Sequence, residues 1–206
     1  MKKIMLMAVA AMMATMSNAQ GLDNEHEQGE TTVQIRVGGT LSNLSGLEDT
    51  KSKLNITYGV EFEHFLADQF SLAGGVLFTD QGTKLENQVD NMKVNIYYAA
   101  FPITANYYIL PGLAIKAGVQ PAYRVKSRIE QGGTKIDYDR FVEVYFNNDK
   151  EVQMNKFDLS IPVGLSYEIK GFTLDARYNF GLTKVFSGLD DAVRNRAIIV
   201  TLGYKL

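Results

Sequence analysis

The chain has 206 residues, with 21 Lys and Arg against 23 Asp and Glu, so its formal net charge is −2 at pH 7. A chain this close to neutral lacks the basic surface that a nucleic-acid partner requires, and without cysteine it forms neither disulfides nor thiolate metal sites. Its 11 Tyr, 11 Phe and 18 Gly, with only 4 Pro, are typical of a β-rich protein.

The first 19 residues have the three parts of a secretory signal peptide. Lys2 and Lys3 form the positive region, residues 4–16 form the apolar region, and residues 17–19 provide small side chains for cleavage. The apolar region is too short to span a bilayer as a helix. We therefore predict that residues 1–19 are removed on export.

The rest of the chain is the length of one domain. Residues 20–30 are polar and show no period, so we expect a flexible tail that includes His26. The folded domain should cover residues 31–206. It has no apolar run of about eighteen residues, which excludes a transmembrane helix but not a transmembrane strand.

From residue 33 onwards, apolar and polar side chains alternate, which is the period of a β-strand. The alternation predicts eight strands, at 33–41, 56–63, 70–79, 93–108, 113–126, 157–168, 172–183 and 197–206. The fourth, 93–108, is apolar on both parities, so its sequence does not assign an inward face.

The polar faces of these strands carry full charges, whereas the apolar faces carry almost none. The charged residues are Arg36, Glu61, Glu63, Lys116, Arg124, Lys126, Asp158, Glu168, Asp175 and Arg177. A soluble, lipocalin-like barrel would turn these charges to water. A membrane barrel would turn them inward, because Lys or Arg on the lipid face costs roughly 2–4 kcal/mol. The Gly and Ser residues beside the long charged side chains favour a narrow, crowded lumen.

The connections between the predicted strands alternate between long and short. In chain order they cover residues 42–53, 66–69, 80–92, 110–112, 127–153, 170–171 and 187–195. A meander with one rim outside the cell and the other in the periplasm has this pattern. The sequence therefore predicts an all-β fold, an eight-stranded antiparallel up-and-down transmembrane β-barrel.

Several segments resemble a known family. They are residues 70–78 with 81–82, 100–103, 116–123, 175–183 (Asp-Ala-Arg-Tyr-Asn-Phe-Gly-Leu-Thr) and 202–206. The chain resembles the outer-membrane β-barrel family typified by PorT, which is similar in architecture to the small OmpA and OmpX-type barrels. The resemblance implies an outer-membrane location and a role as accessory to a secretion system. One departure is Leu206, since such barrels commonly end in Phe.

The inward charges, apart from Lys126, form the predicted interior network. An ion path and a salt-bridged plug are the two interpretations, and an eight-stranded barrel is just wide enough for side chains to fill, which favours the plug. We expect Arg177, Asp175, Glu61 and Glu63 to lie at its centre.

The longest connection, 127–153, is the predicted carrier of any recognition function, because binding residues concentrate on loops held by a scaffold. The candidate surface contacts are Asp137, Asp139, Arg140, Phe141, Tyr145 and Phe146. We expect residues 140–146 to extend the hairpin above the membrane. The acidic residues suggest calcium, but the spacing and the missing turn glycine match no calcium loop.

No catalytic, cofactor or metal site is predicted. His64 ends the second strand and is interpreted as an interfacial aromatic rather than the base of a lipid-modifying enzyme, since no serine partner is evident. The expected function is a non-enzymatic structural, adhesive or surface-interaction role, with a PorT-like secretion accessory or a narrow channel as alternatives. The expected partners are outer-membrane lipid and an extracellular or secretion-machinery protein.

Overall fold

The computed structural model describes residues 26–45, 50–85, 92–131, 134–145, 154–186 and 193–206. Residues 1–19, the predicted signal peptide, lie outside the described residues. None of the helices in the described ranges is both long and apolar enough to cross a membrane.

The described residues form one antiparallel sheet with a single short helix. The strands are β1 (Thr31–Ser45), β2 (Thr50–Ala67), β3 (Phe70–Leu85), β4 (Met92–Ala100), β5 (Ile103–Leu110), β6 (Leu113–Gln131), β7 (Thr134–Asp137), β8 (Phe157–Ile169), β9 (Phe172–Gly181) and β10 (Arg194–Lys205). The helix, α1, covers Tyr138–Tyr145.

The sheet closes on itself. The strands pair with their neighbours around a ring, and β1 pairs with β10 from Gln34↔Lys205 to Ser45↔Arg194. β4 and β5 share one position in the ring, and β7 pairs only with β6, so the ring has eight positions. This confirms the predicted up-and-down barrel. Closure pairs the first strand with the last, so among the described residues the ring has no open seam between β1 and β10.

The short turns at 68–69, 111–112 and 170–171 lie at one end of the barrel with Leu206. We call this the short-turn end and the opposite one the long-loop end.

The barrel is polar inside and apolar outside. Along β1, Arg36 is 1% exposed whereas its neighbour Val37 is 56% exposed, and on β10 Thr201 is 2% exposed whereas Leu202 is 49% exposed. A soluble fold would bury the opposite faces. The apolar belt on the outer wall is therefore the surface that meets lipid.

The fourth predicted strand is interrupted at Phe101 and Pro102, which separate β4 from β5. From Tyr98 to Tyr108 the even-numbered residues face inward. The inner face of β4 is apolar because it packs, through residues such as Ile96, in an apolar cluster at the long-loop end. This packing explains why neither parity of the sequence was polar.

The strands are longer than the alternation indicated. β1 and β2 run through most of the predicted connection 42–53, and β6 continues to Gln131. Lys126 faces outward, so its predicted inward position is wrong. The pairing register shifts by one residue in β6, where Tyr97 pairs with Lys126 but Tyr98 pairs with Arg124. This bulge at Val125 turns two consecutive side chains to the outside.

Candidate functional site: the charged interior and the long-loop end

Five charged side chains from four strands meet at the centre of the barrel. We call them the central layer: Arg36 of β1, Glu61 of β2, Lys116 of β6, and Asp175 and Arg177 of β9. All five are at most 3% exposed. Such charges are stable in a barrel interior only when paired and hydrogen-bonded.

The pairing in the central layer is dense. Arg177 donates to Asp175 Oδ1 at 2.6 Å and to Glu61 Oε2 at 2.8 Å. Arg36 lies 2.8 Å from Glu61 and 3.3 Å from Asp175. Lys116 Nζ donates to both carboxylates, at 3.1 and 3.0 Å. Each carboxylate therefore contacts three cations.

Glycines make room for the long side chains. Arg36 pairs across the sheet with Gly59 and Gly203, and Gly164 lies between Lys116 and Arg177. Cross-strand neighbours on one face are about 5 Å apart, so large residues at these positions would compete with the central layer for the lumen.

Glu63 lies one step towards the short-turn end, outside the central layer. It accepts hydrogen bonds from neutral donors, at 2.5 Å from Ser71, 2.8 Å from Asn106 and 2.8 Å from Tyr108. Gln34 links it to the central layer, since Gln34 donates to Glu63 and accepts from Arg36. Glu63 brings a third negative charge to match the three cations.

The remaining predicted interior residues lie nearer the two ends. Arg124 and Asp158 are buried towards the long-loop end, where Asp158 accepts from Thr183 and Asn195. Glu168 is buried at the short-turn end, 2.5 Å from Lys205 Nζ. The structure therefore divides the predicted network into a centre and two end groups.

The short-turn end is covered by residues 26–30, the described part of the predicted tail. Gly29 N–H donates to the carbonyl of Phe65 at 2.8 Å, and the His26 ring stacks on Phe65 with centroids 4.0 Å apart. His26 Nδ1 lies 2.9 Å from Glu30, and Nε2 lies 3.3 Å from Glu168. The His26 ring is thus held inside the barrel mouth, a position that a polar, aperiodic segment did not indicate.

The pKa of His26 reflects two opposing effects. Burial lowers it, but hydrogen bonds to Glu168 and Glu30 outweigh the burial and raise the pKa above its ordinary value. The charged imidazolium is therefore favoured in the folded protein.

The long-loop end is covered by α1. Asp137 is the N-cap of this helix, because its Oδ1 accepts from the backbone N–H of Asp139 at 3.2 Å. Tyr138 and Val142, one helical turn apart, are buried in the apolar cluster with Met154 and Val193. We call α1 and this cluster the lid.

The lid is tied to the barrel by charge. Arg124 donates to Asp139 of α1 at 3.0 Å and to the carbonyl of Met154 at 3.1 Å. Burial in the lid raises the pKa of Tyr138 to about 12. Tyr138 therefore packs as a neutral phenol at physiological pH.

The candidate surface contacts fall in and around α1. The predicted hairpin extension over residues 140–146 is wrong for 140–145, which are helical, and only Thr134–Asp137 extends the hairpin. Arg140 is exposed, whereas Asp139 is partly engaged by Arg124. Phe141 and Tyr145 belong to the helix, and Phe146 lies outside the described residues.

His64 is exposed on the outer wall near the short-turn end, and its ring hydrogen-bonds Thr31 Oγ1 at 2.8 Å. Within the described ranges, no three His, Cys, Asp or Glu side chains converge as a metal site.

The model of a protein family, outer membrane protein β-barrel domain, matches residues 18–187 of the chain. No curated protein sequence is significantly similar to it.

Solved structures share the fold at low sequence identity. Ail, the attachment invasion locus protein of Yersinia pestis, is 17% identical with a TM-score of 0.50, covering 87% of this chain and 99% of its own. A second structure of Ail, in complex with the heparin analogue sucrose octasulfate, is 14% identical with the same score and coverage. Neisserial surface protein A is 13% identical with a TM-score of 0.51, covering 85% of this chain and 97% of its own.

Proposed function

Because the chain belongs to the family of outer membrane protein β-barrel domains, we propose that it is a non-enzymatic barrel whose role is surface interaction through its long-loop end. Its location is the outer membrane, which the family and the fold of its structural neighbours share. The long-loop end then faces outward, and the short-turn end faces the periplasm.

The observation that carries this proposal is the central layer. Arg36, Lys116 and Arg177 cross the lumen to Glu61 and Asp175 and leave these side chains almost fully buried. Removing one partner from a buried ion pair is costly, which opposes rearrangement of the layer into an ion path. This sealed interior supports a scaffold rather than a narrow channel.

The strands at the long-loop end support a projecting surface. A transmembrane strand needs about 9–11 residues, whereas β2 has 18 and β6 has 19. The excess lies at the long-loop end, where the lid closes the barrel. The extended strands thus form a rim on which contact residues can be held.

Conductance tests the sealed interior. The purified full chain, inserted in a planar bilayer, should produce no discrete current steps at either polarity. Regular steps that disappear on heat denaturation would overturn the scaffold and favour the channel.

Binding of a sulfated glycan tests the surface. Lys135 and Arg140 are exposed at the lid, and the neighbour Ail is described in complex with a heparin analogue. We expect barrels in detergent to be retained on heparin beads and retention to fall with Lys135→Ala plus Arg140→Ala. Lys170→Ala, at the short-turn end, is the matched control. Equal retention of both variants would argue against this face.

The resemblance to PorT supports an alternative function, that of an accessory to a secretion system. Its partner would be a secretion-machinery protein in the same membrane or in the periplasm. Cross-linked co-purification from the native outer membrane distinguishes the two functions. Recovery of a component of the secretion machinery would favour the accessory. If no such component is recovered and the barrel still binds the glycan, surface interaction is favoured.

A further inference from the structure

A groove of about 620 Å³ lies on the outer wall across β2, β3, β4 and β6. Its lower part, towards the short-turn end, is apolar and aromatic, and Tyr58 and Phe78 stand there with ring centroids 5.7 Å apart. Its upper part is lined by Asp80, Tyr97 and Lys126. The groove therefore combines an apolar, aromatic part with a row of charged side chains.

The register explains the polar row at the top. Tyr97 of β4 pairs with Asp80 of β3 on one side and with Lys126 of β6 on the other. The bulge in β6 places Val125 and Lys126 both on the outer wall. One step below, the small Ala99 leaves a depression beside Phe78.

The charge at the top of the groove is mainly positive. Lys126 is exposed, and the Arg128 guanidinium lies 5.9 Å from the centroid of the Tyr97 ring. Lys53 Nζ lies 3.7 Å from Asp80 Oδ2 and offsets its charge. Asp80 Oδ1 is buried and has no hydrogen-bond partner among the described residues.

The position of the groove on the lipid-facing wall indicates that its ligand is amphiphilic. The outward residues of β2 along the groove are Leu54, Ile56 and Tyr58, which belong to the exposed apolar belt. The register Thr57↔Thr79 puts Tyr58 on the short-turn side of Asp80 and Leu54 on its long-loop side. Lys126 and Arg128 mark the level of headgroups. A ligand that fits needs an acyl chain, an anion within reach of Lys126, and a donor for Asp80.

We propose that this groove binds one molecule of lipid A from the outer leaflet. Its phosphate contacts Lys126, an acyl chain lies along Tyr58 and Phe78, and an amide N–H or hydroxyl of the sugar donates to Asp80. Lipid A meets the three requirements with a phosphomonoester, amide and hydroxyl donors, and several acyl chains. Phosphatidylglycerol offers a phosphodiester and hydroxyl donors, which makes it the competitor that the experiment must exclude. The site lies on the membrane-facing wall and does not depend on the surface role proposed above.

Native mass spectrometry of the purified full chain, with added diphosphoryl lipid A, measures the bound fraction directly. We expect a one-to-one complex that survives detergent removal, and about tenfold weaker binding with Lys126→Gln, the size expected for one charge-assisted contact. Val125→Trp, which fills the groove and keeps Lys126, should lower binding similarly. Lys156→Gln removes an exposed lysine that does not line the groove and should leave binding unchanged.

Phosphatidylglycerol and phosphatidylethanolamine are the competing lipids in the same experiment. Equal binding of either, or equal loss with Lys126→Gln and Lys156→Gln, would overturn the proposal in favour of unselective lipid contact. Each variant is first checked for the heat-modifiable mobility in SDS that reports a closed barrel, so a folding failure is recognised before binding is measured.

Discussion

Asp175 lies at the centre of the barrel with three cations around its carboxylate. It is 0% exposed, and its oxygens lie 2.6 Å from Arg177, 3.0 Å from Lys116 and 3.3 Å from Arg36. Burial of a carboxylate costs several kcal/mol unless its partners replace water. Removing Asp175 should therefore destabilise the barrel, because the three cations would remain buried with fewer acidic partners.

Asp175→Asn should lower the free energy of unfolding by about 3–5 kcal/mol, because three buried cations would then share Glu61 alone. Urea unfolding in lipid vesicles measures this change. The control is Asp139→Asn, which breaks the ion pair with Arg124 at a site where Asp139 is 63% exposed. We expect that change to cost at most about 1 kcal/mol. Similar losses in both variants would contradict a paired interior.

His26 predicts a pH dependence at the short-turn end. Its folded pKa is raised, so its contribution to stability is fully present below about 6.5, the unfolded value, and is lost as pH rises through the folded pKa. The groups facing the ring are Glu30, Glu168, Lys205 and Tyr108.

Hydrogen exchange measures this effect locally. The amide of Gly29, which donates to Phe65, should exchange faster at pH 8 than at pH 6 after correction for the intrinsic rate. His26→Gln should remove the difference, whereas His64→Gln, at an exposed histidine on the wall, should preserve it. If the pH effect on exchange persists in His26→Gln, a titrating group other than His26 causes it.

Single residues also mark where sequence reasoning was reliable. Alternation put Arg36 and Arg177 on the polar face of their strands, because a strand has a fixed period of two, and both side chains are buried in the structure. It misplaced Lys126, because a bulge shifts that period by one residue and leaves no clear trace in one sequence. The buried position of His26 depends on contacts with β2 and β8, which no local pattern encodes.

At the scale of strands, the approach of β8 to β9 requires glycine. A Cβ at Gly164 would lie 2.3 Å from the Ala176 carbonyl oxygen, and the Arg177 side chain begins beside it. Gly164→Ala should therefore force these strands apart and cost about 1–3 kcal/mol. Gly74→Ala, whose Cβ would meet nothing closer than 3.9 Å, should change stability by no more than about 0.5 kcal/mol. Urea unfolding of the two variants measures these changes. Equal losses in the free energy of unfolding would contradict a close approach of β8 to β9 at Gly164.

The helix is the element that the sequence did not reveal. Residues 138–145 alternate well enough to suggest a strand, and eight residues provide only two helical turns. Two signals pointed to α1: the N-cap Asp137, and the one-turn spacing of Tyr138 and Val142. The apolar inner face of β4 was a third sign, because apolar side chains inside a polar lumen need an apolar element to pack against at that end.

At the scale of the molecule, the fold could be predicted almost completely, because the membrane permits few alternatives to a closed barrel. The pairing of β1 with β10 closes the barrel. Val37 and Leu202 are register partners there, and both face outward.

A cysteine pair tests this seam in a chain that has no native cysteine. Val37→Cys with Leu202→Cys should form a disulfide on oxidation in the folded barrel, since directly opposed Cβ atoms are about 4.5–5.5 Å apart. Val37→Cys with Tyr204→Cys, offset by two residues, should cross-link far less. Mobility in SDS after boiling, with and without reductant, reports the linkage. Equal yields would indicate a seam whose register is not fixed.

The central layer also has a kinetic consequence. Arg177 on β9 pairs with Glu61 on β2, 116 residues away, and such distant contacts form late because chain entropy must be lost first. Until β10 reaches β1, the lumen is open and the five charges of the central layer remain hydrated. The final strand pairing is therefore also the step that dehydrates them, so ring closure and charge burial share one barrier. A barrel stopped short of that barrier keeps a wet, charged interior and can still reopen.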